Sequence, residues 1–260
     1  MPELPDVETF RHYVNSRALR QTIDHVRVYA PRLLSDASAQ AIGRALGHRR
    51  FERTRRHGKY LFLAVDHARW LVLHFGMTGR LVYFRTPTDR PRHTQLLISF
   101  TNRCRLAYVA PRKLGRIALA DNPQAFVRRR HLGPDALALD WNGFGVALRK
   151  WRGGIKGWLM NQQAVAGIGN IYSDEILFHA RIAPQRKAVT LARPEVKRLF
   201  GKMRYVLNCA IRGHADPAHM SRSWLIHHRH EGGHCPRCRH LVRRSRIAGR
   251  TAWYCSRCQR

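Results

Sequence analysis

Cys235, Cys238, Cys255 and Cys258 form C-x2-C-x16-C-x2-C near the C-terminus. Two knuckle-like pairs at this spacing let four thiolates surround one tetrahedral ion, and an all-cysteine set leaves no open position, so a structural Zn2+ is the expected cofactor. A tail of about 30 residues cannot bury enough apolar surface to fold unaided, and metal ligation would stand in for its core. Two disulfides or free thiols are the alternatives for the same residues. Six cysteines in 260 residues do not make a disulfide framework, which favours a metal site and a reducing compartment. Cys104 and Cys209 stand alone and read as buried thiols.

The rest of the chain has ample material for a core, at 44% hydrophobic, but its charge is lopsided: 48 basic against 16 acidic residues, a formal +32. Such an excess attracts nucleic acid, because neutralising phosphates releases condensed counterions whatever the sequence. Lysine accounts for only seven of the 48, so arginine, whose planar fork suits bidentate phosphate contacts, supplies most of the charge. Any single arginine is equally well read as part of a solvated basic surface. No apolar run nears the roughly 18 residues that span a bilayer, and the start Met1-Pro2-Glu3-Leu4-Pro5-Asp6 lacks the basic and apolar regions of a signal peptide. The expectation is a cytoplasmic monomer without a membrane partner, nucleoid-associated if bacterial.

Val7, Phe10, Val14 and Ala18 recur at helical spacing and predict an N-terminal amphipathic helix. Short runs rich in β-branched and aromatic residues follow at Val26–Tyr29, Tyr60–Val65, Trp70–Phe75, Leu81–Phe84, Leu96–Phe100 and Leu106–Val109, as in a sandwich or barrel. Leu132-Gly133-Pro134-Asp135 reads as a linker, and helix dominates beyond it. Val196, Leu199, Phe200, Met203, Val206, Leu207, Ala210 and Ile211 form a stripe that we assign to core.

Several motifs stand in order along this pattern. They are Pro2-Glu3-Leu4-Pro5-Asp6-Val7-Glu8, Arg56-His57-Gly58-Lys59-Tyr60-Leu61, His74-Phe75-Gly76-Met77-Thr78-Gly79 and Pro111-Arg112-Lys113-Leu114-Gly115. Leu132-Gly133-Pro134, Ile155-Lys156-Gly157-Trp158-Leu159-Met160 and Gly167-Ile168-Gly169-Asn170-Ile171-Tyr172 complete the set. Each is weak alone; the ordered set, ending in the four-cysteine finger, resembles the formamidopyrimidine-DNA glycosylase and endonuclease VIII family along the whole chain. The resemblance implies an α+β multidomain fold. It comprises an N-terminal catalytic β-sandwich domain with flanking helices (1–131), a helix-two-turn-helix domain (132–230) and a zinc finger (231–260). It also implies a partner, damaged double-stranded DNA, and an activity, removal of oxidised bases with cleavage at the abasic site.

The residues suit that chemistry. Removal of an initiator methionine, which a small second residue permits, would make Pro2 a free secondary amine, and α-amino groups titrate at about 7.7 to 8.0, leaving an unprotonated fraction near neutral pH. Attack on C1′ of a damaged nucleotide would expel the base and leave an iminium, an electron sink that lets the 3′ and then the 5′ phosphate depart by β and δ elimination. Glu3 is placed to protonate the ring oxygen or shuttle protons. By residue type alone, proline and glutamate merely start a helix.

The resemblance further assigns Lys59 to the catalytic site, although a lysine on a strand edge is ordinarily solvated. It assigns Lys156, Asn170 and Arg250 to DNA binding, where a helix cap and a surface arginine are the ordinary readings of Asn170 and Arg250. It gives Met77, Arg112 and Leu114 the space left by the extruded nucleotide; Met77 as core filler is the plain alternative. The chain departs from the family at Leu114, where phenylalanine is frequent, and at Asp6, where glutamate is usual. A third departure is the segment 213–233, which looks shorter than the family's purine-recognition loop. Its histidines, His214, His219, His227, His228 and His230, read as surface or phosphate contacts rather than metal ligands. Two rival functions are a family member that binds or cleaves abasic sites without excising bases, and a non-enzymatic zinc-ribbon DNA-binding protein.

Overall fold

A computed structural model describes residues 1–66 and 69–260, which divide into two compact units: Met1–Pro2 with Asp6–Arg130, and Glu3–Pro5 with His131–Arg260. Helix α1 (Leu4–Arg17) leads into β1 (Ile23–Val28), β2 (Leu34–Ser35), α2 (Ala39–Leu46), β3 (Phe51–His57), β4 (Tyr60–Val65) and β5 (Arg69–His74). Then come β6 (Arg80–Phe84), β7 (Thr94–Phe100), β8 (Arg105–Val109), β9 (Arg116–Ala120) and α3 (Pro123–Arg129).

The strands form a five-stranded sheet, order β2-β9-β5-β4-β3, and a four-stranded sheet, order β1-β7-β8-β6. Strand alternation explains the layering. In β4, Leu61, Leu63 and Val65 join Leu96, Ile98 and Phe100 of β7 in the core between the sheets, while Phe62 and Ala64 face the other way, toward Phe126 of α3. Covered on both faces, β4 is apolar almost throughout.

Among the strands that lay outside the six apolar runs, β3 and β9 are hidden by their own chemistry. Strand β3 reads FERTRRH and pairs on one side only, with Arg53 and Arg55 stacked 5.3 and 5.7 Å from the Trp70 ring. In β9 alternating alanines make the apolar run inconspicuous.

The second unit contains α4 (Trp141–Arg149), α5 (Ile155–Met160), α6 (Asn170–Ala180), α7 (Arg193–Arg212) and a hairpin of β10 (Arg243–Ile247) and β11 (Arg250–Tyr254). The α7 stripe is core: Leu199, Met203, Val206, Leu207 and Ala210 are buried, with Val196, Phe200 and Ile211 packed beside them. Cys104 and Cys209, expected to be buried, are half-buried: Cys104 lies just past the β7–β8 turn, and the Cys209 thiol meets the Arg212 guanidinium at 3.0 Å on the flank of α7. No helix among the described residues is long and apolar enough to cross a membrane.

Helix α6 is buried on nearly every side and carries two acids, Asp174 and Glu175, at 1% and 0% exposure. Both are spent on the fold. Asp174 accepts from Lys156 Nζ (2.6 Å), Arg229 (2.9 Å) and the Trp253 amide (3.1 Å), so one carboxylate ties α5, the segment after α7 and the hairpin to α6. Glu175 accepts from the amides of Leu225 (3.0 Å) and Ile226 (2.8 Å). Burial draws Lys156 below the ordinary lysine range against the opposing pull of Asp174.

Breaking a buried pair from one side leaves the partner uncompensated. Asp174→Asn is therefore expected to lower unfolding free energy by about 3 kcal/mol, measured by urea denaturation, and Lys156→Met in that background should recover part of the loss. A change below about 1 kcal/mol, the size of a surface pair, would show that the network is not what holds α6.

Candidate active site

The start of α6 is built around Glu3. Glu3 Oε2 accepts from the amides of Gly169 (2.6 Å) and Tyr172 (3.2 Å), and Oε1 accepts from Ile171 (2.8 Å). These are amides that a helix start leaves without main-chain partners, and they form its positive end. The glycines of the Gly167-Ile168-Gly169-Asn170 motif make room for this. A Cβ on Gly169 would lie 2.6 Å from Glu3 Oε1, and one on Gly167, at φ +117°, would lie 2.6 Å from Leu4 Cδ1. Leu4 N also donates to Gly167 O at 2.9 Å. The carboxylate that directly follows half-buried Pro2 is thus fixed at 1% exposure.

Asn170 and Arg250 meet at the same end of α6. Asn170 Nδ2 donates to the Thr251 carbonyl at 2.9 Å, next to exposed Arg250. The β10–β11 turn that presents Arg250 is a two-residue one, Ala248 and Gly249 both at positive φ (+48° and +73°), the geometry of a tight hairpin. Lys156 is held inside the second unit. Expected to bind DNA, it is 0% exposed, with Nζ held by Asp174 Oδ1, Ser173 Oγ (2.8 Å) and the Asn170 carbonyl (3.3 Å). It braces the first turn of α6 through Asn170 and Ser173.

In the first unit, Lys59 and Gly58 form the two-residue turn between β3 and β4, with Gly58 at φ +55°. Turn lysines are normally solvated, yet Lys59 is only 7% exposed. The turn is held from behind: Glu8 Oε2 accepts from Arg56 Nε at 2.9 Å, and Arg56 donates to the Gly58 carbonyl at 3.1 Å. Burial alone would raise Glu8, but the Arg11 and Arg56 guanidiniums hold it below the ordinary carboxylate range. His74 is pushed down to about 4 by burial, with the Lys59 and Arg116 charges adding to it, so its ring is neutral at physiological pH.

Met77, Arg112 and Leu114 also come together. Met77 and Leu114 are 39% and 54% exposed, which excludes Met77 as core filler, and Arg112 reaches the Met77 sulfur at 3.6 Å. Sequence reasoning missed Glu8, Arg56, Asp174, Glu175 and Arg229 as supports. Two adjacent acids in the apolar helix Asn170–Ala180 were a visible signal; nothing in the sequence linked Glu8 to Arg56.

The four cysteine sulfurs lie within 4.8 Å of one another, with Cys235–Cys258 at 3.8 Å and Cys238–Cys255 at 3.5 Å. A disulfide needs about 2.05 Å; thiolates at about 2.3 Å from a tetrahedral ion sit close to 3.8 Å apart, so the set fits one metal ion. The five histidines do not join it. His227 and His228 face the Met220 and Arg222 carbonyls, both at 3.2 Å, and the cysteine set is the one metal-competent cluster among the described residues.

Residues 1–117 match the formamidopyrimidine-DNA glycosylase N-terminal domain and residues 132–221 its H2TH domain. Formamidopyrimidine-DNA glycosylases of Teredinibacter turnerae (35% identical, all of both chains covered) and Moorella thermoacetica (36% identical, 95% of both) are similar along the chain. Among solved structures, the Lactococcus lactis enzyme non-covalently bound to DNA containing an abasic site matches with a TM-score of 0.91 at 28% identity, over 99% of both chains. MutM in complex with DNA containing carbocyclic 8-oxo-G matches at 0.89 and 28%, over 99% of both. Matched in both domains and along its length, the chain belongs to the formamidopyrimidine-DNA glycosylase family.

Proposed function

We propose that the protein is a base-excision-repair DNA glycosylase with abasic-site lyase activity, working as a monomer on damaged double-stranded DNA. The observation that carries the reading is the Glu3 clamp: a buried carboxylate, held by three amides at a helix start and preceded directly by Pro2. Once Met1 is removed, Pro2 nitrogen attacks C1′ and the base leaves; the proton that the nitrogen gives up passes by way of the Glu3 carboxylate to the ring oxygen as the sugar opens to the iminium. Elimination then releases the 3′ and the 5′ phosphate. Lys59 contacts phosphate and the lesion nucleotide, Asn170 and Arg250 hold the backbone, and Met77, Arg112 and Leu114 occupy the emptied stack. The metal held by the four cysteines is Zn2+, which orders the arginine-bearing hairpin and takes no part in the chemistry. A non-enzymatic DNA-binding module could use Glu3 as a helix cap but needs none of Pro2, Glu3 and Lys59 as a set.

Borohydride should trap a covalent adduct between the protein and an abasic duplex, because reduction fixes the transient iminium. A tag joined to the N-terminus should abolish the adduct, since an acylated nitrogen has no lone pair to give. Full trapping by the tagged protein would overturn the assignment of Pro2 and redirect it to Lys59. Arg250→Ala should weaken binding and flatten its salt dependence by about one phosphate contact; an unchanged slope would place Arg250 in solvent.

Lesion choice follows from the segment after α7. Glu175 ties its Leu225 and Ile226 amides down onto α6, and short local bonds hold His227 and His228. A segment pinned in this way is poorly placed to fold over a purine, whereas a bare abasic site needs no cover and costs little to extrude. Abasic-site cleavage should be robust and 8-oxoguanine opposite cytosine a poor substrate. Excision of 8-oxoguanine as fast as abasic cleavage, under single-turnover conditions, would show that other residues grip the base.

A further inference from the structure

Tyr108 lies in β8, in the four-stranded sheet, with its ring 1% exposed and 5.7 Å from Phe75. Its hydroxyl leaves that sheet and donates to the His74 carbonyl at 3.0 Å, the last residue of β5 in the five-stranded sheet. One hydrogen bond thus crosses the sandwich where two loops emerge, 75–79 and 110–115. Burial pushes the Tyr108 phenol well above the ordinary tyrosine range, so it remains a donor.

The backbone has been cleared around this bond. A Cβ on Gly115 would fall on the Tyr108 hydroxyl and 2.7 Å from the His74 carbonyl. A Cβ on Gly76, at φ +58°, would lie 2.5 Å from the Leu114 carbonyl carbon. The Gly76 amide donates to His74 Nδ1 at 3.3 Å, a bond the neutral ring accepts. The two loops therefore rest on each other through main chain, and their tips are Met77, Arg112 and Leu114.

We propose that Tyr108 is a positioning residue that locks Met77, Arg112 and Leu114 into one preassembled wedge. Its ordering cost is met when the protein folds rather than when a nucleotide leaves the stack, the general advantage of preorganisation. The proposal rests on the reading that these three side chains fill the emptied stack. Without the hydroxyl each loop keeps its residues but loses its registration with the other, and insertion must order both.

The test is a double-mutant cycle on Tyr108→Phe, which keeps the ring and deletes the hydroxyl, in the wild type and in Met77→Ala/Leu114→Ala. The readout is the stopped-flow rate of 2-aminopurine fluorescence change in a duplex with the probe opposite an abasic-site analogue, which reports insertion without chemistry. Thermal midpoints confirm that each variant is folded. Tyr108→Phe should slow insertion about tenfold in the wild type, the factor one buried hydrogen bond is worth, and have little further effect once the two apolar side chains of the wedge are gone. Equal slowing in both backgrounds would make the hydroxyl a general stabiliser and overturn the proposal, as would no slowing in either. If Met77→Ala/Leu114→Ala itself leaves insertion unchanged, the wedge reading fails first, and the proposal with it. Should Tyr108→Phe not fold, Gly115→Ala displaces the same hydroxyl and carries the same comparison.

Discussion

The bonds from three amides to the Glu3 carboxylate are the constraint on which the placement of Glu3 and the start of α6 depends. A helix start leaves its first amides without partners, and burial makes that costly. Glu3 satisfies three of them at once, so the position of α6 and the position of Glu3 become one fact. The clamp works only because Gly169 has no side chain, and it stays in place only because α6 is itself held, by Lys156 and Arg229 through Asp174 and by the Leu225 and Ile226 amides through Glu175. Nearly every buried charge of the second unit thus serves one helix.

How much of this could be read beforehand depends on whether the signal was periodic, spaced or spatial. The α1 and α7 helices and the six apolar strands were legible because periodicity is carried along the chain itself. The cysteine set was legible because its ligands come as two close pairs. Strand β3 escaped because an exposed strand studded with arginine gives up the apolar alternation that betrays a strand, and its partner for those arginines, Trp70, is remote in sequence. The surroundings of Lys156 were out of sight for a related reason. The resemblance assigns it to DNA, and the acid that holds it, Asp174, stands eighteen residues away. The glycine motif was visible as a motif, whereas the object it makes room for, Glu3, lies at the other end of the sequence.

The distribution of acids sharpens the meaning of the charge. Of 16 acidic residues, Glu3, Asp135, Asp174 and Glu175 are buried, and Glu8 and Glu195 are held by arginines. The other ten stand against 48 basic residues in all. The field presented to a polyanion is therefore one-sided, and its attraction for phosphate does not depend on the bases between.

Discrimination has to come from elsewhere, because counterion release rewards every stretch of duplex alike. What separates damaged from sound DNA is the cost of taking one nucleotide out of the stack, least where stacking or pairing is already impaired. A side chain that fills the gap offsets part of that cost at any site. A leucine at position 114, which excludes water but offers no π-face, offsets less of it than an aromatic ring would. The smaller the subsidy from the wedge, the more the outcome is set by how loosely the target nucleotide was held beforehand. On the proposed assignment of the wedge, a chain with abundant arginine and a pinned segment after α7 would bind duplex broadly and extrude selectively, favouring sites that are already weakened.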